Sequence, residues 1–560
     1  MQARLPDGRI FEAPPGTSVG EILRATRADG NDQPATVAAV IDGKLRELVT
    51  PLDSDAEVRP ITLADADGMR IYRRSLAFLL ITAAAEVFPD AAVYIEHSAP
   101  TLGAYFCRVR GRAPFTADDL ALIEARMRSI VQADEPIRTS RVTREDAMQV
   151  FEQRGELDKA HLLKHKPQDG VVLHELRGRL DYLQGYMVPS TGGLERFRLH
   201  PYPPGFVLQY PHQSSPTRLT PFEPYPRLFA TFAEAGEWLD RLGIRSAGVL
   251  NDAMAEGRLP EVSLVAEALH EARIARIAAD IIACGGRIRV VLIAGPSCSG
   301  KTTFSKRLAV QLLAGGLHPF AVALDDYFVD RGRTPRDEHG DLDFEALGAI
   351  DVPLINEQLL SLMDGQPTSL PRYLFLTGTR ESGPTVTLRP REVVLIEGIH
   401  GLNPALVPHL PPEALYRVYV SAITQLNLDR HNRVSISDTR LVRRVVRDAA
   451  TRGYGAAQTL ARWDSVQRGE RLQIFPFTEN SDAIFNSSLV HELSVLRPLA
   501  EPLLLQVRPN TPEYREASRL LSFLQWFRPA SAEVVPDNSI LREFIGGSIL
   551  ENFQWAATRR

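Results

Sequence analysis

Apolar positions along this chain recur with two different periods, and their alternation divides it into regions. From Ile288 to Ala294 the sequence IRVVLIA is almost continuously apolar and rich in β-branched residues, which predicts a buried strand. After a glycine-bearing turn, Phe304, Leu308 and Leu312 return every four residues, the spacing of one helical face, and Gly315-Gly316 can close that helix. Further apolar runs follow, FAVAL at 320–324 and VVLI at 393–396, separated by amphipathic stretches as far as about Val507. Such alternation predicts a parallel sheet covered by helices on both faces. Just upstream, Val262, Val265 and Leu269, then Ile274, Ile277 and Ile281, keep helical spacing and lead into the strand.

The first half reads differently. Arg9–Glu12, Thr36–Ile41 and Glu47-Leu48 are short β-like runs with an Asp42-Gly43 turn between the last two, and Thr17–Arg24 (TSVGEILR) reads as a short capped helix. Residues 70 to about 200 are mixed α/β with an apolar helix across Leu76–Val87, and His200–Pro226, dense in Pro and Tyr, predicts an extended connection. A helix is predicted around Glu513–Trp526, followed by the stretch VPDNSILREFIGG; there are no internal repeats. The predicted divisions are 1–65, 66–215, 216–285, 286–507 and 508–560.

A chain of 560 residues exceeds one core, and 44% hydrophobic with 24% charged residues is a globular composition. The net charge of -5 gives no global argument for nucleic-acid binding. Cys107, Cys284 and Cys298 are odd in number and widely spaced, which suggests a reducing compartment. The N-terminus MQARLPDGRIFEAPPG has no signal-like apolar stretch, and no segment reaches the roughly 18 apolar residues of a membrane span. A cytoplasmic protein with no membrane partner is expected.

The chemistry concentrates after the strand at Ile288. Gly295-Pro296-Ser297-Cys298-Ser299-Gly300-Lys301-Thr302 satisfies GxxxxGK[ST] between a strand and a helix, where backbone N–H groups and the helix dipole face an anion. Residues Gly295 to Thr303 therefore read as a nucleotide-phosphate cradle, with Lys301 reaching the β- and γ-phosphates and the Thr302 hydroxyl offered to Mg²⁺. Cys298 in this loop reads either as an oxidisable thiol or as a small residue tolerated there. Asp325 and Glu397 follow apolar runs, at the strand ends where ligands gather in open α/β sheets. Asp325 can accept a proton from an attacking hydroxyl or help hold Mg²⁺, and Glu397 stands where a metal-approaching acid would. Arg440, Arg443, Arg444 and Arg447 share one helical face, the pattern of a solvated helix or of a guanidinium lid over phosphate.

Taken with LDDYF at 324–328, GDLDFEAL at 340–347, PRYLFLTGTR at 371–380, VVLIEG at 393–398 and Arg452-Gly453, these residues resemble the uridine kinase and phosphoribulokinase family of P-loop kinases over roughly 285–505. The resemblance implies ATP and Mg²⁺ as cofactors and a P-loop NTPase parallel sheet. It implies catalytic roles for Lys301, for Asp325 as base, and for Arg447 and Arg452 as lid arginines. It implies a Mg²⁺ shell of Thr302, Asp325 and Glu397, and ribose contacts from Glu345 and Arg444. The family's base-reading histidine falls at Gly378 and an expected arginine at Tyr454, which leaves Tyr373 and Phe375 as ring-stacking candidates.

Residues 1–65, through LPDG at 5–8 and VIDGKLREL at 40–48, resemble the β-grasp-like TGS module of threonyl-tRNA synthetases. The next region resembles their α+β editing-type domain, through RSLAFLL at 74–80, VFPDA at 87–91 and DYLQGYMVPSTG at 181–192. Its ligand positions fall on Arg74, Phe78, Leu183 and Met187, none of which makes a good metal ligand. The expected activity is phosphoryl transfer from ATP to the 5′-hydroxyl of a nucleoside, uridine or cytidine, by a small-molecule kinase with an N-terminal binding or regulatory half. The alternatives are an NTP-hydrolysing regulator whose first half binds tRNA or rRNA, an RNA partner suggested by analogy alone, and a degenerate scaffold. Oligomeric state is left open, a homo-oligomer included.

Overall fold

The computed structural model describes residues 1–25, 34–99, 103–166, 170–337, 340–374, 376–423 and 426–553. In the first module a five-stranded sheet places Gln2–Arg4 between Ile10–Glu12 and Ala56–Thr62, with Thr36–Ile41 and Lys44–Glu47 beyond, around the helix Val19–Ala25. Asp42 and Gly43 both take positive φ, 48° and 78°, as the tight hairpin between Thr36–Ile41 and Lys44–Glu47 requires.

The second region begins with helix α1, Ala66–Val87, ten residues longer at its start than the apolar run Leu76–Val87 suggests. It packs on a four-stranded antiparallel sheet made from Ala92–Ala99, Ala104–Arg110, Arg198–Tyr202 and Gly205–Gln209. The last two strands lie in the Pro- and Tyr-rich stretch expected to be an extended connection. Pro201 and Pro203-Pro204 sit at the end and turn of this hairpin, while Phe206, Val207 and Leu208 pair with Ala104–Cys107 and are fully buried. Proline at the margin of a strand leaves the remaining ladder intact.

The C-terminal half is built on five parallel strands: β1 Val290–Ala294, β2 His318–Ala323, β3 Glu392–Glu397, β4 Leu415–Ser421 and β5 Ala483–Asn486, in the order β2-β3-β1-β4-β5. Every residue of β1 is buried, because it is central and helices cover both faces. Among those helices are α2, Lys301–Ala314, and α3, Ile436–Arg452, followed by α4, Trp463–Gln473, and α5, Tyr514–Leu524. The largest core does not respect the expected divisions. It runs without a break from Phe151 and Leu162 through Ile274 and Ile277 into Val291, Phe304 and Val445, and on to Leu520 and Leu541.

Candidate active site

Strand register brings the chemistry to one edge. Ile293 of β1 and Ala323 of β2 both lie opposite Glu397 at the end of β3. The loop after β1, Asp325 just past β2, and Glu397 therefore meet at the C-terminal edge of the sheet, where doubly wound folds place ligands.

The loop itself is tightly built. A Cβ on Gly295 would lie 1.9 Å from the Val420 carbonyl oxygen, and Gly300 takes φ +86°. Cys298 is buried in the left-handed region at φ 58°, a conformation that costs a non-glycine residue about 1 kcal/mol. Lys301 Nζ donates to the Pro296 carbonyl at 3.0 Å, and the Thr302 hydroxyl donates to Glu397 Oε1 at 2.8 Å.

Helix α3 braces this loop. Arg440 Nε donates to the Ser297 carbonyl (2.8 Å), Arg443 Nη1 to the Cys298 carbonyl (3.4 Å) and Arg444 Nη1 to Ser297 Oγ (3.1 Å). Arg440 and Arg443 are almost fully buried and ion-paired with Glu470 and Glu492, so the arginine face is neither solvated nor wholly a lid. Glu470 Oε1 also accepts the Ser297 N–H at 3.0 Å. The other arginines gather on buried Asp448: Arg447 at 2.7 Å, Arg444 at 3.3 Å and Arg452 at 3.7 Å.

Sequence reasoning missed Glu470 and Glu492 and also a whole segment. The segment 539–546, around the short helix Arg542–Ile545, lies on the phosphate loop: Ile540 stands where a Cβ on Gly300 would point, and Phe544 lies 4.9 Å from the Arg443 guanidinium. Glu543 Oε2 accepts the Thr303 N–H at 3.0 Å, taking one of the first-turn donors of α2. The only signal was the stretch VPDNSILREFIGG at 535–547, whose mixed polar and apolar residues point to no particular role.

The carboxylates of the site resist ionisation. Burial raises Asp325, against the pull of the Lys301 ammonium. Burial pushes Glu397 up to about 7, Lys301 opposing and Glu543 and Asp325 adding to the rise. Burial and then the Glu470 charge push Glu345 up to about 7, with Arg444 and Lys301 opposing. These mutual influences place Glu345, Arg444 and Lys301 in one electrostatic neighbourhood.

The acceptor side is sparser. Tyr373 is buried, its ring edge-on to Phe328 at 5.5 Å, and Phe375 lies outside the described residues. Gly378 takes φ +72°, and a Cβ there would come within 2.7 Å of Arg331 Nε, so a histidine side chain does not fit without displacing that arginine. Tyr454 faces the guanidinium of Arg462 at 5.2 Å.

In the first half, Phe78, Leu183 and Met187 are buried in one apolar cluster, and Arg74 Nη1 donates to the Tyr186 carbonyl at 2.5 Å. The four positions form packing and a guanidinium in place of a ligand set. Among the described residues no group of three or more His, Cys, Asp and Glu side chains can hold a metal ion.

A parallel five-stranded sheet with a GxxxxGK[ST] loop on its central strand, a second acid at a neighbouring strand end and an arginine helix closing over them defines a P-loop kinase-type domain. Residues 290–494 match the Phosphoribulokinase / Uridine kinase family, and this part of the chain is a domain of that family. The N-terminal region is similar to threonine–tRNA ligases. One from Burkholderia ambifaria is 38% identical over 202 residues, which is 36% of this chain and 31% of that enzyme; one from Symbiobacterium thermophilum is 32% identical over 200 residues, 36% and 30% respectively. The chain thus spans about a third of the length of the curated relatives it matches. A solved structure described as a possible uridine kinase from Bacillus stearothermophilus overlaps 35% of this chain and 88% of its own, at 20% identity and a TM-score of 0.25.

Proposed function

We propose that this protein transfers the γ-phosphoryl group of ATP to the 5′-hydroxyl of a ribonucleoside. The observation that carries the reading is the strand register that gathers Lys301, Asp325 and Glu397 at one sheet edge, with Asp325 close enough to Glu397 to add to the rise in its proton affinity. Asp325 accepts the proton of the attacking hydroxyl as its oxygen bonds to the γ-phosphorus and the bond to the β,γ-bridging oxygen breaks. A carboxylate of raised proton affinity suits that task. Lys301 neutralises the phosphates, and Arg447 and Arg452, held by Asp448, close over the transferring group and keep water from competing.

The donor set fits Mg²⁺. Thr302 Oγ1, Asp325 and Glu397 are hard oxygen donors, and a solvent-facing Asp325 and a half-buried Glu397 beside a hydroxyl are too few for an all-protein cage but suited to an ion that keeps water and phosphate ligands. Bound there, Mg²⁺ supplies charge neutralisation at the phosphate oxygens.

Glu345 and Arg444 together provide an acceptor and a charged donor for the ribose hydroxyls. Gly378 and Tyr454 provide no matching pair for a base edge, and a site without buried polar groups that an analogue would strand discriminates weakly. A transfer assay with labelled ATP over uridine, cytidine, purine ribonucleosides, their 2′-deoxy forms, free sugars and a no-acceptor control tests this. Phosphorylation of several ribonucleosides with a clear loss on removing the 2′-hydroxyl is expected. Phosphate release alone, or transfer only to a non-nucleoside alcohol, would refute the acceptor assignment.

A further inference from the structure

Between the two halves lies a cavity of about 800 Å³, within the ~300–1,000 Å³ range that encloses drug-sized ligands. Its wall combines the hairpin 43–46, one face of α1, the residues 183–186, the start of α3, part of α4, and α5. Most arginines on this wall are neutralised. Arg70 pairs with Asp67 and Glu516, Arg515 with Asp67, Arg519 with Asp438 and Glu516, and Arg440 with Glu470. Lys44 and Arg471 are exposed and hydrated.

Four guanidiniums differ: Arg46, which donates Nη1 to the neighbouring Leu45 carbonyl at 3.3 Å, and three that lie together. Arg73 and Arg74 on α1 and Arg433 just before α3 line the same cavity, are half-buried, and have no carboxylate within ion-pair distance among the described residues. Arg74 spends one N–H on the Tyr186 carbonyl, and Arg433 makes only long contacts to the carbonyls of Glu96 (3.3 Å) and Val434 (3.4 Å). Arg73 Nε is buried with no hydrogen-bond partner, while the rest of its guanidinium hydrogen-bonds the Tyr210 side chain and Asp438 lies near enough to favour its charge. Burial, and then Arg73's like charge, hold both Arg74 and Arg433 down to about 10, so all three remain cationic at neutral pH and repel one another. Partly desolvated cations without an ion-pair partner are costly, and an anion in the cavity offsets that cost. Aromatic rings flank the cations: Arg73 lies 5.7 Å from the Tyr210 ring and Arg433 5.8 Å from that of Tyr105, with Tyr186 and Tyr514 on the same wall.

We propose that this cavity binds a phosphorylated small molecule of nucleotide size through Arg73, Arg74 and Arg433, at a site distinct from the phosphate loop. Guanidiniums match phosphate oxygens bidentately, and the tyrosines offer faces and edges to a ring. Three neighbouring guanidiniums without ion-pair partners suit one such ligand. A polynucleotide binder engages on the order of 6–10 phosphates, for which neither this wall nor a net charge of -5 is built. At its far wall the cavity reaches the Arg440–Glu470 pair, both members of which hold Ser297, so the two sites are one ion pair apart.

The test is equilibrium dialysis of the full chain carrying Lys301→Ala, which weakens the phosphate-loop site. The probes are AMP, GMP, UMP, CMP, their diphosphates, pyrophosphate, orthophosphate and a short RNA oligonucleotide. At least one nucleotide should bind at about one per chain, with affinity falling tenfold or more on adding Arg73→Gln and Arg433→Gln, and severalfold on adding Arg433→Lys alone. The same nucleotide should raise the melting temperature of the parent and not of the double variant. No nucleotide binding, affinity unchanged in Arg433→Lys and in the double variant, retention of only orthophosphate or pyrophosphate, or binding of RNA alone would each overturn the proposal.

Discussion

Asp325 and Glu345 are two carboxylates of one site with different work. Asp325→Asn keeps the shape and hydrogen-bonding capacity of the side chain and removes only its basicity. Turnover should fall by about two to four orders of magnitude, the usual worth of a general base, with ATP affinity nearly intact. Lys301→Ala should instead weaken ATP binding, and titration of both variants with ATP separates the two effects. Near-normal turnover in Asp325→Asn would remove the base assignment. Glu345 yields a pH prediction. Burial and Glu470 raise it from 4.5 to about 7, so over that window the folded chain holds a proton that the unfolded chain has released. Its stabilising contribution is complete below the unfolded value and is lost as the pH rises through about 7. The melting temperature of the nucleotide-free protein should accordingly fall across that window, Glu397 acting with the same sign, and Glu345→Gln should flatten the curve. The positions of Asp325 and Glu397 were legible in the sequence from the apolar strand runs before them, and those of Lys301 and Thr302 from the GxxxxGK[ST] pattern between strand and helix. Glu470, Glu492 and Glu543 were not, because a single carboxylate on a helix or tail carries no periodic signal, and only the fold brings it to the loop.

The elements show where period and chemistry part company. The register of β1, β2 and β3 follows from their apolar runs, but helix α3 presents two kinds of arginine on one face. Arg440 and Arg443 are buried braces and Arg447 is not, a distinction that depends on Glu470 and Glu492, contributed by other helices. The Pro-rich stretch after His200 concealed a hairpin because its prolines fall at the strand margin. The terminal segment holding Glu543 gives a further prediction. Its carboxylate occupies the Thr303 N–H beside the phosphate cradle, so the charge opposes an incoming phosphate while the hydrogen bond satisfies the helix end. Glu543→Gln keeps an acceptor and removes the charge, and it should tighten ATP binding about threefold to tenfold, consistent with about 1 kcal/mol for a charge at a helix N-terminus. Calorimetric titration measures this. Weaker binding would mean that the carboxylate organises the cradle and does not oppose the ligand.

At the scale of the molecule, the two halves do not behave as beads on a string. Lys159 and Asp181, from the synthetase-like region, and Asp429, from the kinase part, are fully buried together, with Lys159 Nζ at 2.7 Å from Asp181 and 3.3 Å from Asp429. His431 Nδ1 joins Asp181 at 2.9 Å, and Asn432 Nδ2 donates to Asp429 at 2.7 Å. Removing one partner of a buried charge cluster strands the others at a cost of about 3–5 kcal/mol. Lys159→Ala should therefore lower stability by about that amount, and calorimetry should show one transition for both halves in the parent. Two separate transitions, with only the earlier one moved by the substitution, would show that the halves unfold independently.

That cluster also bears on whether the chain can be divided. Each half carries charges whose counterparts are encoded in the other, so neither half can drift or be cut away without exposing a debt held by its neighbour. The synthetase-like region, with Arg74, Phe78, Leu183 and Met187 at the ligand positions, is tied into the kinase part by these charges, independently of any chemistry of its own. Cutting the chain between the two parts would leave unpaired charge on both faces of the seam, so each part alone should be less stable than within the whole chain.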